Sequence, residues 1–126
     1  DFFIGETDRV LFPDASFFRF ETTAQPEAIM HIARQGGILI TCDSIKNWTE
    51  IDEYFSESTG KEFLEQGLIK PVSIDKIWLG AMKPKSSDFV RLKKLRLRHL
   101  FSAHGQPIID TASKQLISEL DKLNNI

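Results

Sequence analysis

Cysteine is almost missing from this chain. Cys42 stands alone among 126 residues, which excludes an internal disulfide framework and a cysteine-built zinc cage. The chain therefore reads as cytoplasmic. Long apolar runs are missing too: none approaches the ~20 residues that a membrane span needs, so no membrane is expected as partner. The opening DFFIGETDRV has no basic region ahead of an apolar stretch and is not a signal peptide. It does not begin with Met either, as expected of a fragment of a longer protein or of a processed chain. Neither sign of charge dominates. Sixteen Lys and Arg against eighteen Asp and Glu leave a net charge of −2, which gives no reason to expect nucleic acid. There is no Gly-rich phosphate fingerprint, no His-Glu-x-x-His helix and no Gly-x-Ser-x-Gly elbow.

What is present fits one globular domain spanning residues 1–126, with 41% hydrophobic and 27% charged residues. Phe2 to Ile4 and Arg9 to Phe12 are short apolar runs, and Pro13-Asp14 closes the second with a turn signal. Ser16 to Phe20 reads as a strand. Residues 27–33 (EAIMHIA) and the glycine-bounded run ILITC, joined by Arg-Gln-Gly-Gly, predict a hairpin. After Cys42, Asp43-Ser44 offers capping oxygens. The aromatic and acidic stretch that follows predicts one or two short helices, broken near Ser58-Thr59-Gly60. Gly67, Pro71 and Gly80 punctuate a loop region that includes Ile77-Trp78-Leu79. Ser86-Ser87-Asp88 opens a helix, Leu97 to Phe101 returns as a strand, and a last helix carries Leu116, Ile117, Leu120 and Leu123 at helical spacing.

Two strand ends carry the candidate chemistry. ILITCDS ends a buried-looking strand in Asp43, and HLFSAHG ends another in His104. Sites of α/β folds lie outside strand ends. A carboxylate and an imidazole are suitable ligand types for a divalent metal, although a catalytic zinc takes three ligands from the protein. Local pattern leaves other roles open. An Asp directly before a helix is more often an N-cap, and a His beside Gly is equally a hydrogen-bonded turn residue. His31 reads as a core or edge residue, His99 as a strand residue, and Cys42 as a small buried hydrophobe. From Lys83 to Arg98 the chain has seven Lys or Arg against Asp88 alone. Interleaved with apolar helix positions, these charges read as a solvated face. Trp48 and Trp78 read as core or loop anchors.

Together these stretches resemble the C-terminal half of the metallo-β-lactamase superfamily, over roughly residues 16–124. In that family a hairpin strand ending in Gly-Asp delivers a metal-binding aspartate. GGILITCDS has that shape, with Cys42 in place of glycine. The family's last ligand is a histidine in a Ser/Gly-His-Gly-x-Pro-Ile setting, which SAHGQPI matches at His104. The resemblance implies Asp43 and His104 as metal ligands and leaves catalytic residues unassigned. It implies an α/β fold that is half of an αββα sandwich, a mostly antiparallel or mixed sheet with flanking helices. The family's His-x-His-x-Asp-His signature is absent from the chain. Thr22 or Thr23 of ETTAQPEA occupies the place of a further histidine ligand.

Two functions follow from the resemblance as expectations, beside a third reading, a stand-alone α/β interaction domain with no link to that family. One is the C-terminal portion of a metal-dependent hydrolase-like protein, its zinc or iron site completed by upstream residues, with no metal tightly held by this chain alone. The other is a non-catalytic module of the same fold that has lost its metal and serves binding or structure. Ten Phe, crowded toward the first twenty positions, make the early strands apolar on both faces. Such strands need cover on each side. The expected partner is therefore a missing N-terminal half or a second copy of the chain.

Overall fold

The computed structural model describes residues 12–123, so the expected runs at Phe2–Ile4 and through Arg9 to Leu11 lie outside the described residues. The fold is mixed α/β, with a four-stranded mixed sheet and four helices among the described residues. Phe12 to Ala15 form a β-turn with Pro13 at its second position, closed by Ala15 N–H donating to the Phe12 carbonyl at 3.0 Å. The chain then enters β1 (Ala15–Arg19), β2 (Ala28–Ile32) and β3 (Ile38–Thr41), an antiparallel meander. The β2–β3 hairpin expected from the glycine-bounded runs is present. Its turn needs Gly37 at φ +108°, where a Cβ would stand 2.0 Å from the Arg96 carbonyl oxygen.

After β3 the chain crosses one face of the sheet and returns parallel to β3 as β6 (His99–Ser102), giving the order β1-β2-β3-β6. Within the crossover, β4 (Lys46–Trp48) and β5 (Lys70–Ser73) form a separate antiparallel pair. Three helices also belong to it: α1 (Glu57–Glu65), α2 (Lys76–Met82) and α3 (Ser86–Leu92). The terminal α4 (Ala112–Leu123) packs on β5 and β6.

Two sequence expectations need correction here. Asp43-Ser44 does not cap a helix. The chain bends there and enters β4 instead, because Ile45 is fully buried and Asn47 is tied to segments far along the chain. The only helix of that region starts after Ser56, whose hydroxyl accepts from Thr59 N–H, and it runs through Ser58-Thr59-Gly60 instead of breaking there. The punctuated region around Gly80 is not all loop. Asp75 accepts from the N–H groups of Ile77 and Trp78 and caps α2, while burial of Trp78 holds that helix on the core.

The two sheet faces differ. Phe18, Phe20, Ile29, Leu39 and Leu100 share the covered face, against Trp78, Phe89, Leu92, Leu116 and Leu120 from the helices. On the other face Phe17, Met30, Ile40 and Phe101 are direct cross-strand neighbours and form one apolar row across all four strands. Ile40 and Phe101 are each 41% exposed. Strand alternation thus places Phe17 opposite to Phe18 and Phe20, as the pattern of aromatics predicts.

Candidate functional site

Because β1 and β3 run the same way and β6 is parallel to β3, three strands present their C-terminal ends at one edge of the sheet. Thr41 and Ser102 are register partners at that edge. Two residues further, Asp43 and His104 leave the sheet together, and His104 Nε2 lies 2.7 Å from Asp43 Oδ1. The N–H of that imidazole nitrogen donates to the carboxylate oxygen. Asp43 is 60% exposed and His104 33%, so the pair faces solvent.

Short-range and long-range bonds hold the pair. The hydroxyls of Thr41 and Ser102 both donate to the Ile45 carbonyl, at 2.8 and 2.7 Å, which turns the chain after Asp43 back beneath the sheet edge. Ser102 Oγ also accepts from His104 N–H at 3.1 Å. Asn47 N–H donates to the His104 carbonyl at 2.8 Å, and the Asn47 side-chain amide donates to the Gln106 carbonyl at 2.6 Å. Asn47 Oδ1 accepts from Val72 N–H at 3.1 Å, so one buried amide joins three segments. The crossing is close enough to demand glycine. A Cβ on Gly105 would lie 1.9 Å from the Asn47 carbonyl oxygen, and φ there is +96°.

Trp48 adds an aromatic wall. Its ring centroid is 5.3 Å from that of His104, and it also meets Phe55 and Phe63 at 5.3 and 5.6 Å. This aromatic cluster was not legible as part of a site, since Trp48 read as a core or loop anchor and Phe55 and Phe63 as parts of one or two short helices.

The other candidates lie elsewhere. Thr22, one of the two residues (with Thr23) at the place where the resemblance expects a histidine, is bound to Asp88. Its N–H and Oγ–H both donate to Asp88 Oδ2, at 3.0 and 2.5 Å, and Glu21 N–H donates to Oδ1 at 3.0 Å. Burial pushes the fully buried Asp88 carboxyl up. These hydrogen bonds and the Arg91 guanidinium outweigh that and leave its pKa below the ordinary 3.8. Thr23 and Glu27 flank the β1–β2 turn, and Glu27 Oε2 accepts from the Trp78 indole N–H at 2.9 Å. His31 Nε2–H donates to the Arg96 carbonyl at 2.7 Å, and His99 opens β6 at the end opposite His104, its Nδ1 accepting from Asp110 N–H. Cys42 is exposed and not buried, because the alternation that buries Thr41 turns it to the open face.

Among the described residues no three His, Cys, Asp or Glu side chains gather where they could hold a metal ion. Asp43 and His104 supply two donors, one short of a catalytic zinc frame and two short of a structural one. By themselves they do not fit a resident metal. No helix among the described residues is long and apolar enough to cross a membrane.

In class, then, this is a mixed α/β chain with a solvent-facing Asp–His pair at the C-terminal edge of its sheet. No family model, curated protein or solved structure matches it.

Proposed function

We propose that the chain is the C-terminal portion of a metal-dependent hydrolase-like protein of metallo-β-lactamase type. In this reading Asp43 and His104 contribute two donors to a zinc or iron site that upstream residues complete. The observation that carries the reading is the 2.7 Å approach of two metal-type donors separated by 61 positions. The open apolar row of Phe17, Met30, Ile40 and Phe101 supports it from the other side, because a sheet face of that composition calls for a second layer. The missing N-terminal half is the favoured cover, and a second copy of the chain is the other. Elemental analysis of a polypeptide extended upstream provides the test. Zinc or iron should accompany the extended protein and be largely lost in both D43N and H104A. Metal retained in full by both variants would overturn the assignment.

A second reading, a non-catalytic module that has lost its metal, is favoured by one observation. Thr22 or Thr23 stands at the place of a ligand histidine, and the Thr22 hydroxyl is committed to Asp88. An extended polypeptide that is folded, active in binding and free of metal would establish this reading over the first.

A further inference from the structure

The cavity beside Trp48 carries chemistry that the metal reading does not use. Its volume is about 490 Å3, and Trp48, Tyr54, Phe55, Phe63 and Asp52 line it, together with Ser56 and Thr59. Small-molecule sites are of this size and of this mainly aromatic make-up. Trp48, Phe55 and Phe63 meet one another edge to face with centroids 5.3, 5.4 and 5.6 Å apart, which makes a rigid wall. Tyr54 is 88% exposed, so its ring is not part of the core packing.

Charge selects among the guests that such a wall could take. Aromatic faces carry the negative part of the ring quadrupole and attract cations, Trp most strongly. From residue 50 to 65 the chain carries Glu50, Asp52, Glu53, Glu57, Glu62 and Glu65 against Lys61 alone. Among the described residues, Lys61 pairs with Glu65, and no Lys or Arg forms an ion pair with Asp52, which lines the cavity, or with Glu50, Glu53 and Glu57, its neighbours in sequence. An uncompensated negative potential over an aromatic wall favours an organic cation and disfavours an anion.

We propose that this cavity binds a small organic cation with a trimethylammonium-type head. Trp48 lines the cavity and also meets the His104 ring, at a centroid distance of 5.3 Å. The proposal goes beyond the metal reading and stands without it, since the head group is held by rings and carboxylate alone.

Titration calorimetry of the chain at low ionic strength, with choline and with its neutral isostere 3,3-dimethylbutan-1-ol, tests it. Choline should bind at least about fivefold more tightly than the isostere, the margin expected of cation–π attraction at a partly exposed site. Tyr54→Ala, at a position too exposed to endanger the fold, should weaken choline binding about two- to fivefold and leave the isostere nearly unchanged. Asp52→Asn keeps the oxygen that accepts from Tyr54 N–H and removes only the charge, and it should narrow the preference for choline. Equal affinities for the two probes would reduce the cavity to an apolar pocket and overturn the proposal. No heat of binding up to millimolar choline would overturn it as well. Neither result bears on metal, because none is added.

Discussion

Asp88 of α3 holds Thr22 by two bonds, one from its backbone N–H and one from its hydroxyl, across 66 positions of sequence. The same carboxylate takes Glu21 N–H and the Arg91 guanidinium, and Thr22 Oγ accepts in turn from Lys85 N–H. A buried anion thus fastens the turn after β1 to the start of α3. Removing it leaves two N–H groups without their partner and takes from Arg91 one of its two carboxylates. D88A should cost about 3 kcal/mol of stability, read by urea denaturation. A cost within experimental error would show that the turn is held by other contacts.

Acid should release this clamp. Asp88 and the helix-capping Asp75 both have folded pKa values below the ordinary 3.8. In Asp75, burial pushes upward but is outweighed by bonds from Lys46 and from the N–H groups of Trp78 and Ile77, along with the Lys46 charge. A lowered folded value means that the unfolded chain binds protons first as pH falls. The stabilisation is therefore complete above the unfolded value near 3.8 and is lost as pH drops through the folded values beneath it. Thermal unfolding followed from pH 6 to pH 2 should show this loss in the wild type. It should be reduced in D88N, which has already lost its part of the effect. An unchanged acid slope in D88N would remove Asp88 from the explanation.

Gly105 is the point where the strand-end turn crosses the segment carrying Asn47. With its Cβ placed 1.9 Å from the Asn47 carbonyl oxygen at φ +96°, G105A must move one backbone or the other. The expected cost is at least about 2 kcal/mol. The displacement should also separate His104 from Asp43, visible as a changed imidazole resonance of His104. A variant of wild-type stability with an unchanged resonance would contradict the close crossing.

The open sheet face should govern association. The substitutions I40K and F101K fall at half-open positions, and each should change the stability of the isolated chain by no more than about 1 kcal/mol. Together they should abolish both binding of a hydrophobic dye and self-association seen by sedimentation. A wild-type chain that sediments as a monomer without binding dye would show that this face needs no cover.

Much of this architecture was legible in the sequence where local signals and tertiary demands agree. β2 and β3 are apolar runs around a Gly-Gly turn, and α4 carries its apolar residues at helical spacing, so pattern and structure coincide. The segment from Asp43 to Phe55 was misread because its local chemistry is that of a helix start. The features that keep it from forming a helix act over long distances: the Asn47 amide bonding to Gln106 and Val72, and the Gly105 crossing. α2 was hidden by its glycine and the neighbouring prolines, and it exists through the Asp75 cap and the burial of Trp78. The Asp43–His104 pair was legible only through a resemblance of motifs. The aromatic cavity next to it was not, since ring-to-ring contacts among residues 48, 55 and 63 depend on where α1 is folded back.

Zinc titration of the chain, followed on its three histidine imidazoles by NMR, tests the assignment of Asp43 and His104 most directly. With only two donors the binding should be weak, and it should shift the His104 resonance before those of His31 and His99. Asp43→Asn should remove most of the effect. Zinc that moves His31 or His99 first, leaves His104 untouched, or binds tightly and stoichiometrically would contradict a two-donor half-site at the ends of β3 and β6.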